Sequence, residues 1–210
     1  MSLPRKALPV LAILPLILSG CNLLLAPFMM FAQEPTRKVP AEFPHLAGRK
    51  VCLIVWTEMD TLFEYPLVQL EVSEHVQYAM QSNVKKASFV SSREVVDLQR
   101  RELDWDRQHP GTIGRRFAAD YTLLIEITRY STRDPESPHL YRGHISANLK
   151  VYDTAHPDAP PTYRGTIDTL FPPDSPGEWG ADDNSIRRAT MEQFGRDVAG
   201  KFYDRQVKDK

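Results

Sequence analysis

Residues 51–55, Val51-Cys52-Leu53-Ile54-Val55, run without a polar break into Trp56 and are rich in β-branched side chains. A strand with one wet face alternates apolar and polar residues. A short run that does not alternate reads as a strand covered on both faces. Whatever this chain folds into must place material on each side of that strand.

The rest of the chain supplies it. Residues 67–82 carry Val68, Val72, Val76, Ala79 and Met80 at helical spacing, and 86–90 form a short second strand. Ser91 and Glu94 have capping-box spacing and open a helix through Val95, Val96 and Leu98. Residues 105–111 read as a loop, 112–119 as a brief helix and 121–130 as a third strand. Residues 140–152 alternate cleanly, with Ile145, Ala147, Leu149 and Val151 against His144, Ser146, Asn148 and Lys150. After a proline-broken turn, 162–171 make a fifth strand. A last helix over 185–203 carries Ile186, Ala189, Phe194, Val198 and Phe202. The order is βαβααβββα. Helical crossovers make the first three strands parallel and short links make the last three an antiparallel meander. The expectation is one α/β domain over 50–210, built on a mixed five-stranded sheet with helices packed against it.

Ahead of that domain stands a different kind of sequence. Arg5 and Lys6 precede an apolar stretch, 7–18, and Leu18-Ser19-Gly20-Cys21 ends it. This layout resembles a bacterial lipoprotein signal with its lipobox. The resemblance implies that residues 1–20 are a signal peptide removed just before Cys21, whose thiol receives a diacylglyceryl group. Such a segment stays outside the fold. Apolar character continues through Leu23, Leu24, Leu25, Phe28 and Phe31, so that residues 7–32 approach the ~20 apolar residues that span a bilayer. An uncleaved transmembrane anchor is therefore the alternative; Pro9, Pro15 and Pro27 and the small pair before the cysteine speak against it. Asn22 replaces the aspartate that retains many lipoproteins at the inner membrane, so the outer membrane is expected, with the domain facing the periplasm. Residues 21–49 read as a lipidated N-terminus and a tether containing Pro35, Pro40 and Pro44.

Arg5 and Lys6 are two of the 26 basic residues, and no acidic residue precedes Cys21, so 24 basic residues then face 27 acidic ones. No basic run is present, and nucleic acid is not an expected partner. Of the two cysteines, Cys52 has no intrachain partner once Cys21 is acylated, and its apolar setting makes it a buried, inert thiol.

Residues 113–124, Ile-Gly-Arg-Arg-Phe-Ala-Ala-Asp-Tyr-Thr-Leu-Leu, form a step of helix, Ala-Asp-Tyr and apolar strand, and Val151-Tyr152-Asp153 ends a later strand. That pattern resembles a group of envelope proteins: the curli-secretion-channel lipoprotein, the activator lipoproteins of penicillin-binding proteins and the N-terminal domain of the Tol translocation protein. The resemblance covers about 50–203. It implies a non-catalytic α/β domain that binds other envelope components.

The chemistry-bearing residues fit no catalytic pattern. The six histidines provide no metal-ligand spacing, and no metal or cofactor is expected. Gly111-Thr112-Ile113-Gly114 lacks the Lys-Ser/Thr of a phosphate loop and reads as punctuation at a helix start. Asp182-Asp183-Asn184 lacks calcium-loop spacing, so Asp183 or Asn184 is expected to cap the last helix. A carboxylate pair of Glu178 and Asp182 cannot be placed across a cleft from sequence. Period-two alternation puts Thr122, Glu126, Thr128, Ser146, Asn148, Lys150, Arg164, Thr166 and Asp168 on one wet sheet face. Glu126, Lys150, Arg164 and Asp168 are the candidate partner-docking residues. The expected function is a membrane-anchored envelope lipoprotein, not an enzyme, that binds or regulates another envelope protein. An oligomeric subunit of an outer-membrane secretion or pore assembly is the alternative, and an exported hydrolase a third.

Only the Cys21 thiol can accept the diacylglyceryl group. Cys21→Ser is expected to abolish fatty-acid labelling and leave an unprocessed precursor, checked by metabolic labelling with a fatty-acid probe. Labelling that persists in the variant would remove the lipoprotein reading.

Overall fold

The unbroken apolar run becomes strand β2 (Lys50–Trp56), and its side chains divide between two cores. Val51, Leu53 and Val55 face one way, Cys52 and Ile54 the other, and all five are buried. The structure is a computed structural model, and it describes residues 36–134, 137, 139–175, 177 and 182–208. The signal segment, Cys21 and Glu178 lie outside the described residues.

With β2 stand β3 (Ser88–Phe89), β4 (Tyr121–Arg133), β5 (Tyr141–Asp153) and β6 (Tyr163–Phe171), in the sheet order β3-β2-β4-β5-β6. β2 runs parallel to β3 and β4, while β4, β5 and β6 are antiparallel neighbours. This is the mixed sheet expected from the order of elements. On its first face lie α2 (Val68–Asn83) and α5 (Asp183–Ala199), whose Val72, Val76, Met80, Phe194 and Val198 meet Leu123, Ile125, Leu149 and Val151. On the second, α3 (Ser92–Arg101) and α4 (Pro110–Arg116) bring Val95, Leu98 and Ile113 against Cys52, Ile54, Leu124 and Tyr152. Pro40–Arg205 forms one compact unit. The described residues outside it belong to a two-stranded sheet of β1 (Thr36–Val39) and β7 (Arg205–Lys208). Among the described residues no helix is long and apolar enough to cross a membrane.

β3 pairs only with Lys50 and Val51, so the far half of β2 has no strand on that side. Backbone carbonyls left there need donors. The amides of Gln69 and Gln99 supply them, both donating to the Val55 carbonyl, at 3.1 and 2.9 Å. Two side chains thus stand in for a missing strand.

The Ala-Asp-Tyr step acquires a physical account. Ala118 takes a positive φ of 52° and ends the turn after α4, while Ala119 is buried. Asp120 accepts a hydrogen bond from the Lys50 backbone N–H at 2.8 Å, locking β4 beside β2. The Tyr121 ring stands edge-on to Phe43, with centroids 5.9 Å apart.

Several local expectations are corrected. Residues 40–49 are not a free tether: Phe43 and Leu46 are buried in the first core, held by Glu42 and Phe43 N–H groups donating to the Lys201 carbonyl. A short helix, α1 (Met59–Glu64), follows β2 where no element was read, and it buries none of its residues. Ser91 is the N-cap of α3, but its side chain makes no capping bond. The cap of the last helix is Asp182, which accepts from the Ser185 N–H at 2.9 Å, rather than Asp183 or Asn184. Gly111 stands at the start of α4 as read, while Gly114 lies inside the helix and allows its close approach to the sheet. A Cβ on Gly114 would collide with Thr122 Oγ1, and one on Gly111 would sit 2.7 Å from the Pro157 carbonyl oxygen.

Burial pushes the Cys52 thiol up to about 12, so it stays protonated and unreactive at neutral pH. Native protein is expected to resist alkylation at Cys52 and to react fully once unfolded, measured by thiol labelling across a denaturant series. Cys52→Ser is expected to lower stability by about 1–3 kcal/mol, because the new hydroxyl has no partner there.

Candidate functional site

Strand register builds the second sheet face in cross-strand rows. Leu124 lies opposite Lys150 and Lys150 opposite Arg164; Glu126, Asn148 and Thr166 form the next row; Arg129, Ser146 and Asp168 the next. The candidate residues Glu126, Lys150, Arg164 and Asp168 therefore share one face, as alternation implied. α3 and α4 cover only its β2 side. Thr122 is the exception among the expected wet residues: it is fully buried beneath α4 and donates to the Pro110 carbonyl at 3.0 Å. The covering helices also take Leu124 and Tyr152 into the second core.

Register shifts between Ile127 and Arg129, where one extra residue enters β4. A bulge of this kind turns two residues toward one partner residue. Thr128 keeps its place beside the face, donating to the Ser146 carbonyl at 3.2 Å, and Arg129 joins it. Period-two counting alone assigns Arg129 to the opposite side, and no signal in the strand's own residues marks the bulge.

Electrostatics on this face are local. Two cations directly opposite each other repel, as Lys150 and Arg164 would. Lys150 instead reaches diagonally across to β4, where its Nζ donates to Glu126 Oε1 at 2.7 Å. Both partners are about three-quarters covered, at 25% and 24% side-chain exposure, so screening weakens this pair less than a surface one. Arg164 is exposed and makes no hydrogen bond or ion pair among the described residues.

Asp168 enters a different cluster. Its Oδ1 is 2.7 Å from His144 Nε2 and accepts from Ser146 Oγ at 2.5 Å, while Ser146 Oγ lies 3.0 Å from the same ring nitrogen. The Ser146 and His144 hydrogen bonds hold the Asp168 carboxyl below its usual range, helped by the nearby Arg129 charge. Its stabilising contribution is therefore present at neutral pH and lost as the pH falls through the folded-state value. At 65% exposure the contribution is small. A catalytic relay needs the carboxylate on one imidazole nitrogen and the hydroxyl on the other. Here both gather on Nε2, so the cluster ties β5 to β6 without a proton path from serine through histidine to aspartate.

Beside the face opens a cavity of about 490 Å³. It lies where the carboxyl end of β2 meets the middle of β4, with Ile54 and Trp56 from the first and Leu124, Glu126 and Thr128 from the second. Ile54, Ile113 and Leu124 line it and are buried; Trp56, Trp105 and Glu126 line it and are partly exposed. The two tryptophans come from separate segments, one ending β2 and one from a short 3-10 turn (Trp105–Arg107), so sequence order did not join them.

No family model matches the chain, and no curated protein does. Among solved structures, the protein XCC0632 from Xanthomonas campestris, of the family DUF330, matches with a TM-score of 0.50 and 12% identity, over 80% of this chain and 90% of that one. The PelC dodecamer of Paraburkholderia phytofirmans gives 0.46 at 9% identity, over 80% and 99%. Lipoprotein GNA1162 of Neisseria meningitidis gives 0.42 at 12%, over 65% and 89%. The likeness to the Xanthomonas protein is one of fold alone.

The Glu126–Lys150 pair is testable by a double-mutant cycle of Glu126→Gln and Lys150→Met. Chemical denaturation is expected to give a coupling of about 0.5–1 kcal/mol, smaller in high salt.

Proposed function

We propose that this chain is a non-catalytic bacterial envelope lipoprotein, acylated at Cys21, whose extracytoplasmic domain binds another envelope protein through the open face of β4, β5 and β6. The observation that carries the membrane half of this reading is the Leu18-Ser19-Gly20-Cys21 sequence behind a basic pair and an apolar run. Support for the docking half is the polar sheet face that α3 and α4 leave uncovered. An antiparallel sheet needs no second cover to be stable. β6 closes the sheet order on that side, and an edge strand offers unpaired backbone groups to an incoming strand. Asn22 favours outer-membrane residence, and the resemblance to envelope-binding lipoproteins points the same way.

A second reading, a subunit of an oligomeric secretion or pore assembly, draws on a separate observation. Met59, Phe63 and Leu67 are 77%, 89% and 50% exposed near the end of β2. Exposed apolar side chains grouped in this way suit a protein contact. Size-exclusion with light scattering separates the two readings, since a closed ring elutes as a large oligomer.

Arg164 is exposed and unpaired, so Arg164→Glu is expected to leave the melting temperature within the small range usual for surface changes. Capture of the partner by crosslinking in the native envelope is expected to fall. Undiminished capture with an unmoved melting temperature would make this face ordinary surface.

A further inference from the structure

We infer that the cavity between the carboxyl end of β2 and the middle of β4 receives a basic side chain, an arginine or lysine presented by the bound partner. This rests on the docking reading, because the cavity opens beside the same sheet face: Glu126, Thr128 and Asn148 line it and also belong to that face.

The cavity is graded from apolar to anionic. Ile54, Ile113 and Leu124 are 1%, 1% and 8% exposed and form its depth. Trp56 and Trp105 are half-covered, and Asp106 is exposed at its mouth. Its charged lining residues, among those described, are the two carboxylates Asp106 and Glu126. Asp106 makes no hydrogen bond or ion pair among the described residues. Glu126 gives Oε1 to Lys150, leaving its second oxygen for a ligand. Gln108, which also lines the cavity, is committed elsewhere: its amide donates to Glu102 at 3.0 Å.

Three features of that lining select the occupant. Indole faces attract cations more strongly than other aromatic rings do. Arginine and lysine carry a long apolar stem that lies along apolar surface while the head stays with polar groups. A guanidinium also stacks on aromatic rings and meets a carboxylate through two parallel hydrogen bonds. An anionic residue would face Asp106 and Glu126 unpaired. A neutral apolar residue would leave Asp106 and the second Glu126 oxygen without a cation. Lys150 lies across Glu126 and reduces the field there, which makes Asp106 the stronger attractant.

The protein reports on its own cavity. Trp56 and Trp105 line it, and the third tryptophan, Trp179, is removed by Trp179→Phe. In that background the tryptophan emission is titrated with Nα-acetyl-arginine amide, its neutral isostere Nα-acetyl-citrulline amide, and methyl glucoside. The expected result is a saturable change with the arginine amide, with citrulline at least about tenfold weaker. Asp106→Asn is expected to remove most of that preference. Asp106 is exposed and makes no hydrogen bond or ion pair among the described residues, so this variant tests the site without testing the fold; Glu126→Gln is the second variant, with its melting temperature measured beside it. No saturable change with the arginine amide, equal responses to arginine and citrulline, or a response to the glucoside alone would overturn the inference. A negative result here, with capture still lost in Arg164→Glu, would remove the cavity's role and leave the docking face standing.

Discussion

Burial of β2 on both faces is the constraint from which the rest of the domain follows. Five consecutive side chains, Val51 to Val55 in order, are withdrawn from water, three into one core and two into the other. At about 1.5–3 kcal/mol for each fully buried aliphatic side chain, neither face can be left open. α2 and α5 close one side; α3 and α4 close the other. Where β3 ends too early to cover the strand's edge, Gln69 and Gln99 satisfy the Val55 carbonyl. The same strand that organises the core thus dictates where side chains must replace missing backbone.

Cover on the second face reaches β5 only at Tyr152 and leaves the rest of β5 and β6 open, and the geometry of the candidate site comes from that stopping point. α4 sits close over β4 because Gly114 lacks a side chain, and Thr122 is buried beneath it. Beyond the helix the sheet turns polar, and Lys150 with Glu126, and His144 and Ser146 with Asp168, take the place of packing. The cavity lies at the border between the two regimes, with aliphatic depth from the core and carboxylates from the open face. Its mixed lining results from its position at the edge of the helix layer.

Sequence periodicity carried the architecture a long way. The parallel and antiparallel halves and the two-sided burial of β2 are readable from unbroken versus alternating apolar patterns, whereas the placing of β2 between β3 and β4 came from the structure. The wet face was legible too, because in residues 141–153 and 163–171 the polar positions recur at every second residue over most of each strand. What failed was local. α1 buries nothing, so it leaves no apolar period to detect. Residues 40–49 read as a tether because prolines outweigh the two side chains, Phe43 and Leu46, that lock into the core. The bulge at Thr128 shifts Arg129 to the other face without any marker residue in β4.

From sequence alone came the fold class, the resemblance of the Leu-Ser-Gly-Cys segment to a lipoprotein signal, the inert Cys52 and the polar face bearing Glu126, Lys150, Arg164 and Asp168. These rest on local patterns, where each residue's neighbours along the chain decide its role. Tertiary structure alone decided that Thr122 is buried while Glu126, two pleats along the same face, is not. It also brought Trp56 to Trp105 and Asp168 to the His144–Ser146 pair. Those pairings join separate segments across the sheet, and their geometry is set by helix length and strand register. A single helix ending at Arg116 makes the difference between a covered sheet and an open one.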